Sequence, residues 1–203
     1  MGAIAVTFAF PLLQAGIVEL GERRRRKRLE LEQKIRTFLV ASLVYCARQG
    51  GVDWEKTGIQ AFIVCGFWKW QRQERLAKVR LGAIPSSGIR WKKSKGMIGR
   101  CWETRGVQYA DLDVHFAPYA TFTRSQWEML STETRYGLTF DDYQTLKGKY
   151  GVVAAVPIVN KQDKYIGCIT ADTPPLTPGV VPPVRAQVLG SLATTAGLVA
   201  EVL

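Results

Sequence analysis

The sequence is poor in the residues that build metal centres. Its 203 residues include one histidine, His115, and four cysteines, Cys46, Cys65, Cys101 and Cys168, with no CxxC spacing. That set argues against a zinc site, and no metal-ligating residues are assigned. Cys46 falls in an apolar helical pattern, and Cys65 and Cys168 fall in strand-like runs. Buried free thiols in a reducing cytosol are therefore expected, in place of a disulfide framework. Phosphate-loop chemistry is missing too: Gly96-Met97-Ile98-Gly99 has neither the full GxGxxG nor GK[ST]. No positive charge precedes the first apolar stretch, so a cleaved secretory signal is not expected. Internal repeats are absent. Acidic residues are scarce, 17 against 28 basic, for a net charge of +11.

Apolar residues are plentiful, at 47% of the chain, enough for one ordinary domain with an appendage. The first such stretch, "GAIAVTFAFPLLQAGIV" from Gly2 to Val18, carries no charge. As a helix it would span roughly 26 Å, slightly short of a ~30 Å hydrocarbon core. Six basic residues follow in a row: Arg23, Arg24, Arg25, Arg26, Lys27 and Arg28. With Glu19 and Glu22 they give residues 1–28 a charge of +4, leaving +7 of the +11 on the rest. Three readings compete: a membrane helix, a peripheral or buried apolar helix, and a basic arm for nucleic acid. Phosphate contact would explain the basic run but not the apolar stretch before it. A membrane helix explains both, since basic residues stay on the cytoplasmic side and each adds about 1 kcal/mol of attraction to anionic lipid. The expectation is a membrane-associated helix over 1–20, a basic juxtamembrane run over 21–28, and a cytoplasmic domain over 29–203. Nucleic acid is disfavoured as a partner, because aromatics do not interleave with the basic clusters, Trp91 apart.

Within the domain, "LELEQKIRTFLVASLVYCARQ" places Leu31, Ile35, Phe38, Leu39, Ser42, Leu43 and Cys46 at helical spacing. Gly50-Gly51 would end that helix. Thr57–Phe67 reads as a buried strand and Leu76–Ile84 as a half-exposed one. Gly151–Asp172 reads as a hairpin around the polar turn Asn160–Lys164. A proline-rich connector follows, then a final helix from Val184 to Leu203. Its inner stripe is Val188, Leu189, Leu192, Ala196, Val199 and Leu203. The order implies an α+β domain, with a central antiparallel sheet flanked by helices and one apolar helix ahead of it.

Two segments resemble GAF domains. "KSKGMIGRCWETRGVQYADLD" (Lys93–Asp113) is similar to the middle of that family, where a glycine-rich turn opens a short helix and a strand ends on an acidic residue. "VVAAVPIVNKQDKYIGCITAD" resembles its closing hairpin. The likeness spans residues 29–203. One departure is Ser94, where the family often has glycine. Gly96 and Gly99 are read as permitting a tight turn and close helix packing. The resemblance implies a PAS-like sensory domain with a small-ligand pocket on one face of its sheet. It also implies a homodimer formed through the first and last helices, which pass a signal along; the expected output runs through a separate protein or through the membrane segment itself.

The resemblance does not name the ligand or a cofactor. The residue set typical of cyclic-nucleotide binding has no counterpart here. No cysteine lies beside His115 in sequence for a bilin, and haem would rest on His115 alone. One branch of the family reduces free methionine sulfoxide through a thiolate and a resolving thiol. Met97 and Ile98 occupy its cysteine-bearing turn, and no cysteine lies between Tyr109 and Gly167. No catalytic residue is assigned, and the domain is read as a sensor. In the family the pocket wall comes from the strand near Val107–Asp113, the segment after it and the hairpin. The candidate ligand-binding residues are therefore Tyr109, Asp111, His115, Tyr119 and Trp127. Asp111 and His115 would orient a ligand by hydrogen bonds, and the aromatics would supply contact area. The main alternative is a ligand-free dimerisation or interaction module.

Overall fold

A computed structural model describes residues 2–50, 53, 55–82, 87–175 and 185–203, with side chains described throughout except at 2–17, 50 and 68. The chain divides into two units, Met1–Lys34 and Ile35–Leu203. The first unit is helical, the opening part of helix α1 (Gly2–Gly50). Arg23 and Arg26 reach back one turn to Glu19 and Glu22, at 2.7 and 3.7 Å, as exposed pairs. Among the described residues no helix is long and apolar enough to cross a membrane. The side chains of the apolar stretch that prompted the membrane reading lie outside the described residues up to position 17.

The second unit is a five-stranded antiparallel sheet with helices on both faces. Strands β1 (Gly58–Cys65) and β2 (Arg72–Val79) form the first hairpin. Helix α2 (Gly96–Thr104) leads into β3 (Gln108–Asp111) and α3 (Leu112–Phe116). Helices α4 (Arg124–Met129) and α5 (Phe140–Leu146) follow, then β4 (Val152–Val159), β5 (Tyr165–Asp172) and α6 (Arg185–Val202). The strand order is β2-β1-β5-β4-β3. β2 begins at Arg72, four residues before the expected strand, and β3 ends at Asp111 because that side chain caps α3.

Strand alternation sorts the sheet into two faces. Ala61 opposite Ile169, and Ala154 opposite Ala171, lie on the face covered by the terminal helices. There α1 buries Ile35, Leu39, Ser42, Leu43 and Cys46, and α6 buries Val188, Leu192, Ala196 and Val199. The Ser42 and Ser191 hydroxyls meet at 2.8 Å between the helices. The expected inner stripes are thus the buried ones, although Leu203 is exposed and Leu31, Phe38 and Leu189 are half-buried. The opposite face carries Phe62, Ala155 and Cys168, which pack with Ile98 and Cys101 of α2.

Two sequence features are explained by the sheet. Pro157 sits in β4, which lies between two strands, yet β3 pairs only with Val152–Ala155. Position 157 therefore has an open edge, where a missing N–H costs little. Gly167 of β5 lies so close to the Phe62 carbonyl of β1 that a Cβ would collide with it.

Candidate functional site

A cavity of about 300 Å³ lies on the sheet face opposite α1 and α6. Its floor comes from alternate residues of three strands: Gln60 and Phe62 of β1, Thr170 and Asp172 of β5, and Val153 of β4. Its walls come from Gln73 and Arg75 of β2, Ile89–Trp91, the start of α2, and the 136–150 segment. The volume is at the small end of the range for ligand pockets, and the lining combines apolar side chains with polar and charged ones.

Several polar groups buried around the cavity pair with one another. Gln73, 3% exposed, donates to the Ile98 carbonyl at 2.9 Å. Its own carbonyl accepts from the Tyr165 hydroxyl at 2.9 Å and the Cys168 thiol at 3.3 Å. Burial raises the pKa of Tyr165, with Cys168 and Cys101 adding to it, so the phenol stays a donor. Burial also raises the Cys168 thiol well above its usual range. Asp172 forms an ion pair with Arg80, both side chains almost fully enclosed, and accepts from the Gln60 amide at 2.7 Å.

The rim depends on unusual backbone. Gly96 has φ +61°, Ser94 +68° and Tyr136 +51°, and the Gly96 N–H donates to the Tyr136 carbonyl at 2.7 Å. Gly96 and Gly99 have the roles read from the sequence. A side chain at Gly96 would meet Trp91, and one at Gly99 would meet the Lys92 carbonyl. Ser94 adopts a left-handed conformation that glycine takes freely, at the position where the family resemblance departs.

None of the five candidate residues lines this cavity. Trp127, 0% exposed, is the centre of a second core with Phe116, Leu138, Tyr143 and Leu146. It stacks on Tyr143 at 4.3 Å, and its indole N–H donates to the Leu138 carbonyl at 3.3 Å. Asp111 accepts from the Val114 N–H at 3.1 Å as the N-cap of α3. Tyr109 lies on the other face of the sheet, under the Arg185 guanidinium at 4.9 Å. Tyr119 packs edge-on against Phe122, and more distantly against His115. His115 comes nearest: Nε2 meets the Thr134 carbonyl at 2.8 Å, and its ring stacks at 4.2 Å on Tyr136, which does line the cavity. The residues the sequence reading missed sit mainly on the strands. Their signal was parity, since Gln60 with Phe62, and Thr170 with Asp172, are polar or large residues two apart in otherwise apolar runs.

No protein-family model and no curated protein sequence matches the chain. Solved structures do. The GAF domain region of a Geobacter sulfurreducens protein superposes with a TM-score of 0.52 at 12% identity, covering 89% of this chain and 97% of that one. The GAF domain of an Acinetobacter phosphoenolpyruvate-protein phosphotransferase gives 0.51 at 13% identity, covering 88% of each chain. A type II free methionine-R-sulfoxide reductase from Thermoplasma acidophilum gives 0.47 at 12% identity, covering 85% and 94%. The fold is that of GAF domains.

Proposed function

We propose that the protein is a GAF-type sensory or regulatory domain, tethered to a membrane with its main domain in the cytoplasm, that binds a small molecule and signals through its terminal helices. The observation that carries this reading is the placement of the cavity. It lies on one face of the sheet while α1 and α6 cover the other. Neighbouring residues on single strands face both ways, Phe62 with Ala61 and Thr170 with Ile169 and Ala171. A ligand that displaced the floor would shift the seat of the helices, provided it bound the two arrangements unequally. Helix α1 exposes Val40 and Val44 one turn apart, at 46% and 41%, and α6 exposes Leu198. These apolar residues support a homodimer, through which a separate output protein would be addressed.

The thiol-reductase alternative is less well supported. Cys101 and Cys168 are fully buried, and the Cys168 thiol is held protonated, whereas such chemistry needs an accessible thiolate. A ligand-free interaction module is the competing reading. Native mass spectrometry of the full chain, purified in mild detergent after exposure to metabolite extracts, separates the two. A bound mass that disappears in Val153→Phe, which fills the cavity floor, is the expected result. A bare dimer across all extracts would overturn ligand sensing.

A further inference from the structure

We infer that the cavity takes an anionic small molecule with an apolar or aromatic body, its acidic group held by Arg75 and Arg90. This inference rests on the ligand-binding reading and adds the chemical class. Five ionisable side chains with full charge line the cavity: Arg72, Glu74, Arg75, Arg90 and Asp172. Both acids are already matched. Glu74 accepts from Arg72 through Nε at 2.9 Å and Nη2 at 2.6 Å. Asp172 is matched by Arg80 and held further by Gln60. Two cations remain at the opening. Arg75 makes one long contact, Nη1 to the Gln60 side-chain carbonyl at 3.4 Å, and both Arg75 and Arg90 lack an ion pair among the described residues.

The backbone adds the same sign. Gly96, Met97 and Ile98, the first turn of α2, line the cavity, and the N-cap Lys95 supplies no side-chain cap. The first turn of that nine-residue helix, the positive end of its dipole, borders the same space as the arginines, with the Gly96 N–H already donated to the Tyr136 carbonyl. A cationic ligand would meet this field with no free carboxylate to receive it. Below the rim the chemistry changes: Phe62, Trp91, Ile98, Leu138 and Val153 make an apolar body, with Tyr136 braced from behind by His115. His115 is thus a positioning residue for Tyr136. Guanidinium groups accept a carboxylate or a phosphate with equal geometric ease, so the shared chemistry is the anion.

The test uses the full chain in detergent and a charge-balanced fragment set, in which the same aromatic bodies carry a carboxylate, a phosphate monoester, an amide or an amine. Binding is read by saturation-transfer NMR and ranked by titration. Acids are expected to bind and amines not to. In Arg75→Gln/Arg90→Gln the acids should weaken at least about tenfold while amides hold, since charge-assisted hydrogen bonds are lost. Arg75→Lys/Arg90→Lys should recover part of the affinity. Carboxylate against phosphate ranking then identifies the source of the anion. An even spread over charge classes, a preference for amines, or acid binding unaffected by the glutamine pair would overturn the anion assignment while leaving ligand binding intact. An absence of binding in every class would overturn both. Equal melting temperatures of wild type and variants exclude unfolding as the cause.

Discussion

Trp127 has no solvent exposure and lies ring to ring with Tyr143, so its side chain is part of the domain's packing. Trp127→Ala should cost about 3–5 kcal/mol, as large aromatic-to-alanine changes in cores do. Chemical denaturation would show it as a lower midpoint, and a ligand bound to the folded fraction should keep its affinity. A selective loss of binding with unchanged stability would return Trp127 to the site. Asp142 makes a different prediction at the same scale. It caps its own helix through Thr139 and meets Lys95 at 2.7 Å, tying α5 to the residue that opens α2. Burial alone would raise its pKa, but the hydrogen bonds to Lys95 and Thr139 outweigh that and hold it below the usual carboxylate value. A depressed folded pKa gives stability that is complete above the unfolded value, about 3.9, and is lost as pH falls through the folded one. Unfolding measured from about pH 6 to about pH 3 should show a smaller acid loss in Asp142→Asn than in wild type. The variant should also be roughly 1 kcal/mol less stable at neutral pH. Parallel acid limbs in the two proteins would contradict the assignment.

At the scale of elements, the close approach of β1 to β5 depends on one missing side chain. Gly167→Ala would drive a Cβ into the Phe62 carbonyl, and both strands are central, so neither can swing away. A loss of about 1–3 kcal/mol is expected, the range for overpacking. Phe62 lies on the cavity floor, so affinity for any cavity ligand should fall as well. Thermal melts read the first effect and titration the second; an unchanged melt would mean that β1 can move. This dependence also shows what sequence alone could reveal. The hairpin around Asn160–Lys164, the buried stripes of α1 and α6, and the turn at Gly96 were legible because each has a local signature: alternation, helical spacing or a glycine. The cavity was not, because its floor joins the β4–β5 hairpin to β1, and β1 pairs with β5 across a separation of about a hundred residues. Aromatic density drew attention to 116–143, and aromatic side chains serve a core as readily as a pocket. Asp111 was noticed as an acid closing a strand, yet a carboxylate three residues ahead of a free N–H is equally a helix cap. Arg75 and Arg90 were hidden in a basic sequence, where two more arginines carry no signal until their possible partners are located.

For the molecule as a whole, the proposed membrane attachment rests on the first unit and is tested there. Residues 23–28 are basic throughout, and two of them already spend part of their charge on Glu19 and Glu22 one turn back. Exposed pairs of that kind are weak and screened by salt, so the run keeps most of its attraction for an anionic surface. Attraction and insertion predict different behaviour. A purely electrostatic attachment weakens with ionic strength and vanishes when residues 23–28 are replaced by glutamine. An inserted apolar stretch survives salt and alkaline carbonate, and loss of the basic run would affect its orientation more than its retention. The full chain is expected to sediment with membranes after both washes, with the 35–203 unit open to protease from the cytoplasmic side. The glutamine variant should still sediment, but with a fraction of molecules inverted and protected. Release of wild type by salt alone would show that residues 23–28 hold the protein at the surface and that the apolar stretch is not inserted. Recovery in the soluble fraction without any wash would remove the membrane from the proposed function and leave the cavity and the two terminal helices as the working parts of a soluble sensor.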